Sequence, residues 1–226
     1  MKLLLTSGGI SNDSISNALK AMLAKPISQC HALCIPTASY ALKNGVVNAW
    51  NFLRGYDEAP MCNLGWKSMG VLELTALPSL DQDLWLPALK QADILLVNGG
   101  DPLYLSYWMR KSGVADLLPD LDLVYVGMSA GSMIMAPRIG DDFVMWTKEG
   151  LTDKTLGYVD FAIFPHLNHV LLPENTKEQA ISWAHSIQIP GYAIDDQTAI
   201  QVIDNTVSVI SEGEWYSFDY TKESRG

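Results

Sequence analysis

The chain has 226 residues, of which 48% are hydrophobic and 18% are charged, and its net charge is −10. This length allows one substantial core, and no linker-like segment divides it, so we expect a single domain over residues 1–226. With only 15 Lys and Arg residues, the chain lacks the basic clusters that nucleic-acid binding requires, which excludes nucleic acid as a partner.

The apolar runs and the cysteines disfavour further classes of protein. The first run, residues 2–6, is too short for the core of a signal peptide, and no run approaches the roughly 20 residues of a spanning helix. The three cysteines lack a Cys-x-x-Cys arrangement, which predicts reduced thiols rather than a disulfide framework or zinc site. We therefore expect a cytoplasmic protein with no membrane partner, no metal and no cofactor.

Short β-rich runs alternate with helix-compatible stretches in the first half of the chain. The predicted strands cover residues 2–6, 31–36, 70–74, 94–98 and 123–127. The predicted helices cover residues 13–24, 44–55, 81–92 and 101–111. The strands carry few polar residues, as expected where both faces of a sheet are buried. This alternation predicts an α/β three-layer sandwich with a mostly parallel central sheet and helices on both of its faces.

The last third of the chain has a less regular pattern. A strand is predicted at 161–165, a helix at 173–186, and closely spaced strands at 192–194, 199–203 and 207–210. Asp204 and Asn205 predict a hairpin turn between the last two. Such a tail is typical of antiparallel strands added at a sheet edge near the C-terminus.

A Gly-x-Ser-x-Gly segment, Gly127 to Gly131, follows the apolar run that ends the first half. Strand, sharp turn and helix in that order form a nucleophile elbow, in which the glycines avoid clashes across the turn. Ser129 is therefore the candidate nucleophile, and the N–H of Ala130 is a candidate oxyanion donor. The competing interpretation is a Gly- and Ser-rich turn between a core strand and a core helix.

A serine nucleophile needs a base, and the chain has four histidines. His31 lies within an apolar strand and fits a core position, and His185 lies on a polar helix and fits the surface. His166 and His169 follow the predicted strand 161–165 at the sheet edge that also carries Ser129. His166 is the better candidate base, and His169 is expected to line the pocket or cap the following loop.

The acid that orients the base has three candidates. Asp196 is the first choice and Asp195 the second, because both follow a predicted strand; the alternative there is an ordinary Asp-rich turn. Asp142, with its neighbour Asp141, lies just past the elbow helix and competes for the role. Separately, Gly99 and Gly100 end a buried strand, and their N–H groups could supply a second oxyanion donor.

Together these segments resemble the peptidase E family of serine peptidases, which includes the cyanophycinases. The resemblance rests on Asn98-Gly99-Gly100-Asp101-Pro102, Gly127-Met128-Ser129-Ala130-Gly131, Phe164-Pro165-His166 and Ile194-Asp195-Asp196-Gln197-Thr198-Ala199. The order serine, histidine, acid differs from that of α/β-hydrolases, in which the acid precedes the histidine.

The resemblance implies a fold like that of class I glutamine amidotransferases. It also implies Ser129 as nucleophile, His166 as base, and the N–H groups of Gly100 and Ala130 as oxyanion hole. The family usually has glutamate where this chain has Asp196. Its name brings a preference for dipeptides with N-terminal aspartate, which favours a cationic partner. Arg138, nine residues past Ser129, is the candidate for that partner, and the alternative is that it forms a solvated ion pair. Gly99 and His169 complete the expected substrate-binding residues.

The sequence therefore predicts a serine peptidase that hydrolyses short peptides through an acyl-enzyme. An esterase or amidase would use the same residues, and a non-catalytic small-molecule binding or regulatory protein could retain the same fold. A carboxylate within about 3.2 Å of one His166 nitrogen, with Ser129 near the other, distinguishes catalysis from binding. A metalloenzyme using Asp141, Asp142, His166 and His169 is disfavoured, because the histidine spacing lacks the helical pattern of familiar zinc sites. The sequence is compatible with a monomer or a dimer.

Overall fold

The structure, a computed structural model, describes residues 1–55, 61–148, 150 and 152–220. The strands in this part of the chain are β1 (Lys2–Thr6), β2 (His31–Ile35), β3 (Ser68–Val71), β4 (Ile94–Val97), β5 (Val124–Met128), β6 (Ala162–Phe164), β7 (Gly191–Ile194), β8 (Thr198–Ile203), β9 (Thr206–Ser211) and β10 (Trp215–Phe218). The α-helices are α1 (Asp13–Met22), α2 (Gly45–Arg54), α3 (Leu86–Gln91), α4 (Pro102–Lys111), α5 (Val114–Leu117), α6 (Ala130–Met133) and α7 (Lys177–Ile187).

A seven-stranded sheet forms the centre of the molecule, in the order β3-β2-β4-β5-β1-β8-β9. The first five strands of that order are parallel, and β8 and β9 add antiparallel at the edge beside β1. One row of the register runs from Cys34 through Leu96 and Val126 to Leu4. The elbow strand β5 therefore lies in the middle of the sheet, next to β1.

Alternate side chains of the central strands fill two separate cores. Leu4, Leu96 and Val126 pack with residues of α1 and α2, whereas Val97 and Tyr125 pack on the opposite face with residues of α3, α4 and α5. Burying one such side chain stabilises the fold by about 1.5–3 kcal/mol. Because both faces are covered, the strands are apolar throughout, which is why they read as continuous hydrophobic runs.

A smaller three-stranded sheet, in the order β10-β7-β6, lies beside the large one. Helix α7 packs on it, with Trp183 buried against Phe164 at a ring separation of 5.5 Å. The chain passes from this sheet to the large one between β7 and β8. This passage contains Asp195 and Asp196.

The α/β fold class, with its mostly parallel sheet and antiparallel C-terminal strands, is confirmed. The helix predicted at 81–92 is wrong in extent, because α3 begins only at Leu86. Pro87 has no N–H and would clash inside a longer helix, so it occupies the first turn instead.

The predicted strand at 70–74 is β3, shifted to Ser68–Val71. The run at 192–194 joins the small sheet as β7, paired with the unpredicted strand β10. Among the described helices, none combines the length and apolarity that crossing a membrane requires.

Candidate active site

The turn between β5 and α6 holds Ser129 in a strained backbone conformation, with φ 49° and ψ −112°. Its two flanking glycines are sterically required. A Cβ on Gly127 would lie 2.5 Å from the carbonyl carbon of Gly131, and one on Gly131 would lie 2.4 Å from the carbonyl oxygen of Val97. Backbone strain of this kind costs about 1–3 kcal/mol and persists because the surrounding structure fixes it. The turn therefore presents the Ser129 side chain at the carboxyl end of β5.

The Oγ of Ser129 lies 2.9 Å from Nε2 of His166. His166 follows β6 and also has a left-handed backbone, with φ 58°. Its other ring nitrogen, Nδ1, lies 2.7 Å from Oδ1 of Asp196. A carboxylate oxygen can only accept a hydrogen bond, so the proton of the neutral ring belongs on Nδ1. Nε2 is then free to accept the proton of the Ser129 hydroxyl.

The other two candidate acids do not contact His166. Asp195 stabilises its own turn: its Oδ1 accepts hydrogen bonds from Thr198 Oγ1 at 2.7 Å and from the Gln197 amide at 3.0 Å, and its Oδ2 accepts one from the Glu214 amide at 2.6 Å. Asp142 is exposed and accepts a hydrogen bond from Gln179 Nε2 at 3.3 Å. Geometry thus favours Asp196 over both alternatives.

Two backbone amides close to Ser129 make no backbone hydrogen bond in the described part of the chain. They belong to Gly100, which follows β4, and to Ala130, the first residue of α6. Gly100 has φ 141°, and a Cβ there would lie 2.3 Å from the carbonyl oxygen of Ala38. Asn98 holds the adjoining loop by accepting the Gly99 N–H at 2.8 Å. These amides are available as donors to a developing oxyanion.

Ser129 and His166 line a cleft of about 830 Å³, a volume within the usual range for small-ligand sites. The carboxylates in its lining are Asp142, Glu174 and Asp196, and no Lys or Arg lines it among the residues that the structure describes. The remaining lining residues that the structure describes carry no charge: Gly8, Ser11, Ser39, Leu42, Asn48, Asn51, Asn98, Gly99, Gly100, Pro102, Met128, Met133, Phe143, Met145, Pro165, Leu172, Asn175 and Gln197. The cleft is therefore negatively charged wherever it is charged at all.

Comparison with known proteins identifies the family. The sequence model of Peptidase family S51 matches residues 3–210. The chain belongs to peptidase family S51. An uncharacterised peptidase from Pasteurella multocida is 32% identical over 127 residues, covering 52% of this chain and 59% of the relative. A protein named Peptidase E from Nostoc sp. is 23% identical over 145 residues, covering 61% and 60%. The matched part of the chain thus spans about three fifths of each of these curated relatives.

Two solved structures share the fold of this S51 chain. A putative peptidase E protein from Listeria monocytogenes EGD-e superposes with a TM-score of 0.69 at 20% identity, covering 94% of this chain and 98% of that one. A peptidase from an acI-B1 Actinobacterium gives a TM-score of 0.66 at 16% identity, with coverage of 98% and 95%. The resemblance to the peptidase E family is confirmed.

Two residues expected to bind substrate lie away from the cleft of the S51 chain. The Nε of Arg138 pairs with Asp153 Oδ2 at 2.7 Å, and Arg138 is not part of the cleft lining. The expectation that it meets a substrate carboxylate is therefore corrected, because its guanidinium is already engaged elsewhere. His169 is also outside the lining; its Nε2 lies 3.4 Å from Asp196 Oδ2, and its Nδ1 accepts the Leu171 N–H at 3.1 Å. His169 thus contacts a carboxylate of the cleft without lining the cleft itself.

Sequence reasoning missed Ser7 and Gly8, which follow β1. Ser7 Oγ donates a hydrogen bond to Asp196 Oδ1 at 2.6 Å. A Cβ on Gly8 would lie 2.8 Å from the Cβ of Asp196, so glycine leaves the room that the acid occupies. The available signal was the Ser7-Gly8-Gly9 turn directly after a buried strand. Its contact with Asp196 depends on β1 pairing with β8, the strand that follows Asp196, and the sequence does not reveal this pairing.

Asp196 has a pKa below its ordinary value of 3.8. Burial alone would raise this pKa, but it is outweighed by the hydrogen bond and charge of His166, the Ser7 hydroxyl and the charge of His169. The folded state therefore favours the ionised carboxylate. This stabilisation is present above the unfolded-state pKa and is lost as the pH falls through the lower, folded-state pKa.

Asp196→Asn should accordingly remove a pH-dependent part of the stability of the S51 chain. We expect the difference in unfolding free energy between wild type and variant to shrink as the pH falls below 3.8. Denaturant unfolding over a pH series from neutral to acid measures this difference. Asp83→Asn, which changes an exposed carboxyl, is the control. A difference in unfolding free energy that stays constant across the acid range would contradict the lowered pKa of Asp196 in the folded state.

Proposed function

We propose that this chain is a serine peptidase that hydrolyses short peptides through an acyl-enzyme. The observation that carries the proposal is the pair of contacts on His166, 2.9 Å from Ser129 Oγ and 2.7 Å from Asp196 Oδ1, inside the cleft. A nucleophile, a base and an acid in this arrangement match the roles of a serine peptidase. The same contacts support turnover over the alternative of a non-catalytic binding protein.

In the proposed reaction, Ser129 Oγ attacks the peptide carbonyl carbon while Nε2 of His166 takes the hydroxyl proton. The carbonyl oxygen becomes an oxyanion, for which the N–H groups of Gly100 and Ala130 are the proposed donors. The C–N bond then breaks as the His166 imidazolium gives its proton to the leaving amine. Water, deprotonated by the same nitrogen, hydrolyses the ester bond to Ser129 and restores the hydroxyl. Throughout, Asp196 holds Nδ1 and offsets the charge of the imidazolium.

The charge of the cleft bears on which peptides enter it. The aspartate preference implied by the family name requires a cation near the N-terminal side chain, and the described lining provides none. Glu174 is exposed in the lining, and its carboxylate makes no hydrogen bond to another residue that the structure describes. The Glu174 carboxylate and an acidic side chain of a bound peptide would repel each other, weakly in water and more strongly in a partly closed cleft. We propose that neutral or basic N-terminal residues are preferred over acidic ones.

A dipeptide panel tests both proposals. Amine release is measured for Ala-X, Lys-X and Asp-X, where X is the same residue, with Ser129→Ala as the enzyme blank. We expect Ala-X and Lys-X to be cleaved with kcat/KM about threefold to tenfold above Asp-X, the difference narrowing with added salt. Glu174→Gln should raise kcat/KM for Asp-X while leaving that for Ala-X unchanged. Faster cleavage of Asp-X than of Ala-X would contradict the charge preference.

The same panel separates the remaining activities. Turnover that persists in Ser129→Ala would overturn the serine mechanism. Wild-type protein that cleaves small esters or simple amides but none of the dipeptides would identify an esterase or amidase. Absence of turnover on all of these substrates, together with binding of a peptide, would favour the non-catalytic alternative.

A further inference from the structure

Ser7, the first residue after β1, lies fully buried beside Asp196 and His166. Its Oγ is 2.6 Å from Asp196 Oδ1 and 2.7 Å from the backbone nitrogen of His166. It is also 3.4 Å from Nδ1 of His166. One hydroxyl therefore contacts the acid, the backbone of the base and the ring of the base. In the described structure its side chain makes no hydrogen bond to Ser129 and does not line the cleft, so its effect acts through the other two residues.

The hydrogen atoms at this junction can be assigned from donor and acceptor chemistry. A backbone N–H can only donate, so the Ser7 oxygen accepts the His166 N–H. The carboxylate can only accept, so the single Ser7 proton is directed to Asp196 Oδ1. That oxygen then receives two donors, the Ser7 hydroxyl and the His166 Nδ1–H. A ring with Nδ1 unprotonated would place two acceptors 2.7 Å apart, which is repulsive. The arrangement therefore favours the tautomer that leaves Nε2 as a base.

Ser7 also bears on the backbone of His166. A left-handed conformation, here with φ 58°, costs a residue with a Cβ about 1–2 kcal/mol. The amide of His166 is held in that conformation by its hydrogen bond to Ser7 Oγ. Without the hydroxyl, this part-buried N–H would lose its partner, and the base would lose one restraint on its position. Buried unpaired donors of this kind are costly.

We propose that Ser7 is a positioning residue, whose hydroxyl fixes the Asp196 carboxylate to the His166 backbone and so keeps the proton of the neutral ring on Nδ1. This inference rests on the proposed function. It assigns a role to the turn after β1, which no motif in the chain marks. Ser7 takes no part in bond making; it sets the geometry and tautomer of the groups that do.

The first test measures the reactivity of Ser129 without a peptide substrate. Phenylmethylsulfonyl fluoride transfers its sulfonyl group to an activated serine hydroxyl and releases fluoride and a proton. The rate of mass increase at Ser129 is compared between variants. We expect Ser7→Ala to react roughly 10- to 100-fold more slowly than wild type, since hydrogen bonds to charged groups have effects of this size. Ser7→Thr keeps the hydroxyl and should recover most of the rate.

Ser132→Ala is the matched control. Ser132 is equally buried, and its hydroxyl donates at 2.7 Å to the Thr6 carbonyl at the end of the same strand, without a recorded contact to Asp196 or His166. Its reaction rate should stay close to that of wild type. Melting temperatures of all variants show whether a slow rate reflects unfolding. A Ser7→Ala rate equal to that of wild type would overturn the inference.

The second test reads the tautomer directly. Nitrogen-15 NMR at a pH where the ring is neutral should show Nδ1 protonated and Nε2 unprotonated in wild type, and a mixture of both forms in folded Ser7→Ala. An Nε2-protonated ring in wild type overturns the inference, and so does an unchanged tautomer in the variant. Absence of labelling at Ser129 in wild type would instead contradict the proposed function, and the tautomer measurement would still test Ser7 by itself.

Discussion

Replacing His166 with alanine is expected to lower kcat for the best dipeptide by roughly a millionfold, about as much as Ser129→Ala. The Ser129 hydroxyl is a weak nucleophile at neutral pH, and its one base within hydrogen-bond distance in the described structure is His166, at 2.9 Å. Asp196→Asn should cost about 10⁴-fold, because the amide no longer holds the proton on Nδ1. Single-turnover amine release at saturating peptide measures these losses.

The decisive variant is the double replacement of Ser129 and His166. When two residues act as one unit, the losses of kcat caused by replacing them do not add, so the double variant should be no slower than either single variant. Additive losses would mean that the two residues act independently, which contradicts the proposed proton transfer. His185→Ala is the control, because His185 lies on the exposed side of α7. Its kcat should match that of wild type.

Gly131→Ala is expected to disrupt the elbow itself. A Cβ at this position would lie 2.4 Å from the carbonyl oxygen and 3.0 Å from the carbonyl carbon of Val97, both backbone atoms of a central strand. Neither can move without distorting the sheet, so α6 must shift, and Ser129 with it. We expect a loss of about 1–3 kcal/mol in unfolding free energy. A displacement of Ser129 by about 1 Å should lower kcat roughly 100-fold in the protein that still folds.

The matched control is Gly113→Ala, at a turn with φ 79° where a Cβ would meet no atom within 4 Å. It should lose about 1–2 kcal/mol through backbone strain alone and retain wild-type kcat. Denaturant unfolding and dipeptide cleavage measured on the same samples separate the two effects. A Gly131→Ala protein with wild-type stability and kcat would show that the close approach of α6 to β4 is not needed.

The main features of the site were predictable because they lie at strand ends. Ser129, Gly100 and His166 each follow a buried apolar run. Ser129 and Gly100 follow neighbouring parallel strands of the large sheet, whereas His166 follows β6 of the small sheet, which the sequence did not separate from the large one. The glycines at 127 and 131 mark the elbow through a steric requirement that the structure shows directly. Strand order was less accessible. The sequence does not state that β1 pairs with β8, and so the contact of Ser7 with Asp196 had no local signal.

Other features depend on register or on competing partners. Asp195 and Asp196 are adjacent, and only the position of the turn before Thr198 decides which of them faces His166. Arg138 was the candidate cation for the substrate, but it pairs with Asp153, which lies in a segment with no periodic pattern. The helix predicted at 81–92 is shortened by Pro87. The apolar spacing of that segment predicts a helix without regard to the proline.

The site spans two sheets that share no strand. Ser7 and Ser129 follow strands of the seven-stranded sheet, whereas His166 follows β6 of the three-stranded one. A relative displacement of about 1 Å between the sheets would separate Ser129 Oγ from His166 Nε2 beyond hydrogen-bond distance and leave every strand ladder intact. The proposed proton transfer therefore requires that the two sheets remain docked, and its geometry depends on that docking rather than on the hydrogen bonds within either sheet.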